Sequence, residues 1–297
     1  MNWTIVIPAW GERCLSTFEK SALPAIAAAL RHAKADARLL VHTDDRARIA
    51  EVAAGRGLAL TTLPVPPIEG THYRLGACHQ EAIRMAKRGD VLGFINADMV
   101  CSIELFAAAE KRIATGTGMV MMAGTRTDGA ALPPVGAPAP DLLRWAMRHP
   151  HHSTTECFFG TGRSEMCSNV FFRDGKSVVL RAWHLHPFAA VVDRDLGFNG
   201  VTIDCDLPEA YARDEIHVVT DAAEAAFAEL SPPERTFGVG ARPMDEETVV
   251  EWARLYATSP LHEWFFEHRI AIEGDHDQAG DRAICESVLR KRRERRA

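Results

Sequence analysis

The sequence predicts an α/β protein: a mostly parallel sheet flanked by helices, followed by a C-terminal region of mixed strands and helices. Three observations carry this. Short apolar runs alternate with segments of helical period over residues 3–123, the pattern of successive βαβ units. The runs are continuously apolar rather than alternating, which fits a sheet covered on both faces. The segments after the runs are polar or rich in Gly and Pro, and such sheets bind ligands beyond the carboxyl ends of their strands.

Taken in order, residues 3–7 are a β-branched run closed by Pro8. Leu23, Ile26, Ala27 and Leu30 recur at helical spacing; Pro24 is tolerated only in a first turn, so the helix is expected to begin there. Residues 38–42 form a second strand that runs into Thr43-Asp44-Asp45. A helix over 46–54 stops at Gly55 and Gly57, and a third strand over 58–63 is closed by Pro64, Pro66 and Pro67. The next helix carries Leu75, Cys78, His79, Ala82, Ile83 and Ala86 on one stripe and ends at Gly89. A fourth strand over 90–95 leads into Asn96-Ala97-Asp98. Ser102 suits the cap of a helix that buries Ile103, Phe106 and Ala107, and 118–123 is a fifth strand.

After residue 124 the alternation stops. Residues 125–141 read as a loop, followed by a helix with Leu142, Leu143, Trp145 and Ala146. Residues 149–169, rich in His, Gly, Ser and Thr, read as a mobile segment over the site. Strands are expected at 178–183 and 189–192. Two helices close the chain: one with Val249, Trp252, Ala253 and Tyr256 on a stripe, and one opened by Ser259-Pro260 with Leu261, Trp264, Phe265 and His268 inside. The chain divides into an α/β half, 1–124, and a half of mixed strands and closing helices, 125–297, within one continuous domain.

Composition narrows the class. Of 297 residues, 47% are hydrophobic and 25% charged, which excludes disordered, collagen-like and coiled-coil chains. No apolar run is long enough to span a bilayer, and the N-terminus enters a strand without a secretory signal. Seven cysteines without a CxxC pair read as free thiols of a reducing compartment, so a cytoplasmic location is expected. The net charge is −6, yet residues 290–297 hold six basic residues and one acidic. Cations stacked on a tail do not make a nucleic-acid groove. They read as a solvated helix end, or as a weak membrane-surface contact gaining about 1 kcal/mol per cation near anionic lipid.

Several residues could carry chemistry. Asp98, directly after an apolar strand, stands where an α/β protein holds a divalent cation against phosphate; Mg²⁺ needs only one or two carboxylates because water and phosphate complete its shell. The alternative is a turn or cap, which Asp also favours. Asp44 and Asp45 have the same alternative at the helix starting near 46. His184 and His186, i and i+2 in an expected strand, would share a face, and neutral imidazole is a common metal ligand. Asp204 and Asp206 would likewise share a strand face, where either could serve as base for an acceptor hydroxyl; Asp206 also suits a cap for a helix opened by Pro208. His149, His151, His152, Cys157 and Cys167 lack the paired spacing of a zinc site. The Gly160–Ser164 loop offers Arg163 to a phosphate or acceptor. No GxSxG, Walker A or post-strand GxGxxG occurs, so hydrolase, P-loop and dinucleotide readings lose their motifs.

The succession IVIPAWGE, helix, LLVHTDD, helix, strand, THYRLGACHQEAIRMA and VLGFINADM resembles the nucleotide-sugar domain of GT-A glycosyltransferases over roughly residues 3–124. The resemblance implies a GT-A-like, Rossmann-type sheet and a DxD motif at the fourth strand. That motif binds Mn²⁺ or Mg²⁺ and the diphosphate of a nucleoside-diphosphate sugar. Here it reads NAD, with Asn96 in place of the first acid and Asp98 as the metal ligand. The resemblance further implies nucleotide contacts from Pro8, Ala9, Trp10, Asp44, Asp45, Arg74, Asn96 and Ala97, and a third metal ligand from His184 or His186. The expected function is transfer of a sugar to a glycan or lipid-linked acceptor. The alternatives are a sugar-1-phosphate nucleotidyltransferase, whose Arg-containing glycine loop is represented only by Ala9–Arg13, and a non-catalytic nucleotide-sugar-binding subunit.

Overall fold

Trp3, Ile5, Val6 and Ile7 are almost wholly buried, and the strand they form lies in the interior of the largest sheet. In the computed structural model, which describes residues 1–164, 168–197, 202–232, 241–274 and 280–294, the strands before residue 129 are β1 (Asn2–Pro8), β2 (Asp36–His42), β3 (Ala59–Leu63), β4 (Val91–Phe94), β5 (Met99–Cys101), β6 (Met119–Met122) and β7 (Gly124–Asp128). Those after it are β8 (Arg163–Ser164), β9 (Asn169–Asp174), β10 (Ser177–Ala182), β11 (His186–Val191), β12 (Ile216–Val218), β13 (Phe227–Ser231), β14 (Arg242–Pro243) and β15 (Ile270–Glu273).

The seven-stranded sheet has the order β12-β6-β11-β4-β1-β2-β3. β1 pairs in parallel with β2 and β4, and β2 with β3, as the apolar runs predict. Side chains alternate across a strand, so Trp3 and Phe94, which is registered against Val6, lie on opposite faces. Trp3 meets the edge of Phe106, from the helix Leu105–Ile113, at 5.1 Å. Phe94 meets the edge of His79, from the helix Thr71–Met85, at 5.3 Å. Each face therefore has its own helical cover.

The sheet departs from uniform direction at one strand. β11 inserts between β4 and β6, antiparallel to both. Because it runs the other way, its first residue, His186, arrives at the edge where β4 ends. Three smaller sheets complete the fold: β15-β10-β9, β5-β13-β7 and β14-β8.

Local differences from the sequence reading have identifiable causes. The first helix starts at Glu12, not near Pro24, and passes through a π-turn, Phe18–Ala22, into Leu23–Ala33. The turn reroutes the hydrogen bonding just where Pro24 cannot donate. Ser102 does not cap the next helix; its Oγ accepts the Ala226 N–H instead (3.1 Å). The described residues of 149–169 are anchored, with the helix His152–Glu156, the β8–β14 pairing and a bridge from Phe158 to Phe171; residues 165–167 lie outside the described residues. Ser259 caps its helix as expected, accepting from the Leu261 N–H (3.2 Å) ahead of Pro260. The six described cysteines are free thiols; Cys167 and residues 295–297 lie outside the described residues. Among the described residues no helix is long and apolar enough to cross a membrane.

Candidate functional site

The loops after β1, β2 and β4 are tied to one another at the carboxyl edge of the sheet. The Ala9 N–H donates to the His42 carbonyl (2.8 Å), Thr43 to Leu63 (2.9 Å) and Ile95 to Val6 (3.1 Å). Pro8 and Ala9 are buried beneath this edge. Gly11 turns the chain at φ 76°, a conformation costly for any residue with a Cβ. Its N–H donates to Asp44 Oδ2 (3.0 Å), so the exposed Asp44 joins two of the loops. Asp45 takes the alternative role: its Oδ1 caps the helix Arg46–Ala54 by accepting the Arg48 N–H (3.1 Å). Trp10 and Arg74 are brought together, the guanidinium carbon lying 5.6 Å from the ring centre while Arg74 Nε donates to the Ile68 carbonyl (3.1 Å).

Asn96, Ala97 and Asp98 form the turn between β4 and β5. The Met99 N–H closes it on the Asn96 carbonyl (3.0 Å), and the Asp98 carbonyl accepts from Leu230 on β13 (2.8 Å). Ala97 is buried. The Asn96 Oδ1 is buried without a hydrogen-bond partner. Asp98 is half-buried. Burial, reinforced by the negative charge of Glu229, pushes its carboxyl up to about 7. Glu229 comes from β13 and pairs with Arg126 (3.3 Å). Asp98 in turn helps burial to raise the Cys14 thiol, on the helix Glu12–Thr17 that follows β1. A carboxylate set against a second acid, in a turn that also leaves an amide oxygen unsatisfied, is a donor set suited to a hard divalent cation completed by phosphate and water.

The histidines and the second acidic pair separate in ways the sequence does not foresee. His184 and His186 do not share a strand: β10 ends at Ala182 and β11 begins at His186. Between them Trp183 is fully buried and stacked on Phe266, ring centres 3.8 Å apart and planes 3° from parallel. His186 Nε2 lies 2.7 Å from the Phe94 carbonyl, to which it donates. Its Nδ1 is 3.5 Å from Asp204. Burial alone would lower the His186 pKa; the Asp204 carboxylate outweighs it and the net shift is upward. His184 turns elsewhere, toward Cys205 (4.0 Å) and the ring of His262 (4.5 Å).

Asp204 and Asp206 sit on a helical turn, Ile203–Asp206, not a strand. Two residues apart on a helix point to nearly opposite sides. Asp204 faces His186, whereas Asp206 acts on His262 and makes no side-chain cap for the following turn. Among the described residues, no group of three or more His, Cys, Asp and Glu side chains is arranged to hold a metal, so Asp98, His184 and His186 do not form one ligand cluster. His151 engages both ring nitrogens, with Ser153 and the Pro232 carbonyl (2.7 Å each). Arg163 is held by the Ala241 carbonyl (2.9 Å). Glu229 and Arg126 are the residues that sequence reasoning misses. The available signal was a lone acid inside the otherwise apolar run 225–230.

Behind the edge, His79 is 1% exposed and neither ring nitrogen has a hydrogen-bond partner. Burial, with smaller contributions from neighbouring charges, pushes its pKa from 6.5 down to about 3. The unfolded chain therefore binds a proton between these values that the folded chain refuses, and stability falls as pH drops through that window. The slope from this one ring is about 1.4 kcal/mol per pH unit. Urea midpoints of the wild type and His79→Leu at pH 7 and pH 5 are expected to show a smaller acid loss in the variant. Equal losses would contradict the buried neutral ring.

Several solved structures are similar to this chain at low identity. TarS residues 1–349 from S. aureus match at 14% identity and a TM-score of 0.44, over 97% of this chain and 71% of that one. HddC from Yersinia pseudotuberculosis matches at 12% and 0.37, over 77% and 93%. Glucosyl-3-phosphoglycerate synthase from Mycobacterium tuberculosis, in complex with Mn²⁺, UDP and glucosyl-3-phosphoglycerate, matches at 14% and 0.30, over 54% and 61%. No family model and no curated protein matches the chain.

Proposed function

We propose that this chain transfers a glycosyl group from a nucleoside-diphosphate sugar to an acceptor hydroxyl. The observation that carries the reading is the Asp98–Glu229 pair at the end of β4, each acid within electrostatic reach of the other beside the unsatisfied Asn96 oxygen. An arrangement that holds two carboxylates together at a ligand-binding sheet edge serves a cation–diphosphate pair better than it serves stability.

In this reading the nucleotide lies over Pro8, Ala9 and Trp10, with Asp44 toward base or ribose and Arg74 toward the phosphates, a task its planar guanidinium suits. Asn96, Ala97 and Asp98 face the diphosphate. Asp98 and Glu229 would hold Mg²⁺ or Mn²⁺. A bound cation of this kind supplies Lewis-acid stabilisation to the departing diphosphate. Asp204 accepts the proton of the attacking hydroxyl, and His186, fixed by the Phe94 carbonyl, orients that carboxylate. Asp45 contributes by capping its helix and so placing Asp44. Asp206, with His184 and His262, borders the acceptor side. The acceptor is a glycan or a lipid-linked glycan.

Calorimetry with UDP and GDP, with and without Mn²⁺, tests the reading together with turnover of UDP-glucose as a probe donor. We expect Mn²⁺ to tighten nucleotide binding at least about tenfold, a difference of about 1.4 kcal/mol, and sugar to be released or transferred. Binding without turnover of any nucleotide sugar would indicate a non-catalytic subunit. Release of pyrophosphate from a nucleoside triphosphate and a sugar 1-phosphate would indicate a nucleotidyltransferase. Absence of nucleotide binding removes the proposal.

A further inference from the structure

Away from the sheet edge, an open cavity of about 550 Å³ lies between β10, the end of the helix Pro260–Glu267, Arg269 just before β15, and the helix Gly280–Glu294. Five arginines, 181, 269, 282, 290 and 293, line it against two glutamates. None of these belongs to the candidate active site. Asp281 and Glu263 pair three of the five, so the attraction for an anion rests on Arg282 and Arg290.

The arginines are unequally committed. Arg181 is buried, and its Nε and Nη2 donate to Asp281 (3.0 and 2.8 Å). Arg269 shares that carboxylate (3.0 Å), and Arg293 bonds Glu263 and Glu267 (3.1 and 3.4 Å). Arg282 is exposed and has no ion pair among the described residues; Arg290 donates from Nη2 to Ser287 Oγ (3.2 Å) and lies 4.0 Å from the exposed Glu294. Positions 282, 286, 289 and 293 follow helical spacing, which puts them along one side of the helix. The paired arginines are fixed by carboxylates, whereas Arg282 and Arg290 have no close ion pair among the described residues. Guanidinium groups recognise phosphate through paired N–H donors, and the volume is that of an ordinary small-ligand site.

We propose that this cavity binds a phosphate-bearing anion, free in solution or presented by a lipid headgroup. The inference does not depend on glycosyl transfer. The full chain is titrated calorimetrically with sodium pyrophosphate in the absence of divalent cations, and in parallel sedimented with phosphatidylglycerol or phosphatidylcholine vesicles. The same measurements are made on the Arg282→Ala/Arg290→Ala double variant, whose two changes are at exposed positions, and on Arg74→Ala. Expected is saturable pyrophosphate binding, or sedimentation selective for phosphatidylglycerol, weakened at least about tenfold in the double variant, as loss of charge-assisted bonds requires, and unchanged in Arg74→Ala. The probe that responds identifies the source of the phosphate. Binding to neither probe, equal binding by the double variant, or a loss that follows Arg74 instead overturns the proposal, whatever the outcome of the nucleotide experiment.

Discussion

Asp98→Ala is expected to lower sugar transfer by about 10³-fold, the scale on which removal of one group stabilising developing charge acts, while the folded state becomes no less stable. The two halves of this result come from the same feature. Asp98 is half-buried and its ionised form is opposed first by burial and then by Glu229. An acid whose pKa is raised on folding contributes stability at low pH that is lost as pH rises through the raised value. Removing it at neutral pH therefore relieves repulsion. A residue that only supported the fold would give the opposite pattern, with activity falling in step with the melting midpoint. Transfer assays and thermal melts on one preparation make the distinction, and an Asp98→Ala enzyme with full transfer would refute the assignment. Mn²⁺ should also cease to tighten UDP binding in this variant, because Glu229 alone remains of the carboxylate pair.

The first four strands were legible because each is a local event. Residues 3–7, 38–42, 58–63 and 90–95 are apolar runs followed within two residues by Pro, Asn or Asp, and the breakers act within a few residues of where they stand. Asp98 could be placed for the same reason, since it follows an apolar run directly. What the sequence conceals is pairing across distance. Nothing within 186–191 states that the strand will insert between β4 and β6 in reverse, yet that insertion is what carries His186 to the Phe94 carbonyl. Glu229 reaches Asp98 because β13 pairs with β5, more than 120 residues earlier in the chain. Spacing was misleading where an aromatic intervened: Trp183, stacked on Phe266, breaks the strand that would have placed His184 and His186 on one face. The helix Glu12–Ala33 was shortened in the reading because Pro24 normally marks a start, and the π-turn that absorbs it has no composition of its own.

Asp281→Ala is expected to cost about 3–5 kcal/mol, the range for breaking a buried ion pair by removing one partner, from a total that is about 5–15 kcal/mol for most domains. The side chains of Arg181 and Asp281 are each 4% exposed. The carboxylate holds Arg181 through Nε and Nη2, while Arg181 Nη1 donates to the Phe266 and Glu267 carbonyls (3.1 and 2.9 Å). One guanidinium thus joins β10, the end of one helix and the first turn of the last. With alanine at 281, its positive charge stays buried against carbonyl oxygens alone, and Arg269 loses the same acceptor. Most of the cost lies in that stranded charge rather than in lost packing. The double variant Arg181→Met/Asp281→Leu should therefore be more stable than Asp281→Ala alone, even though it removes more of the native hydrogen bonds. A urea double-mutant cycle measures this directly. If the double variant is the less stable of the two, the buried pair holds the C-terminal helix by the geometry of its bonds, not by the mutual cancellation of its charges.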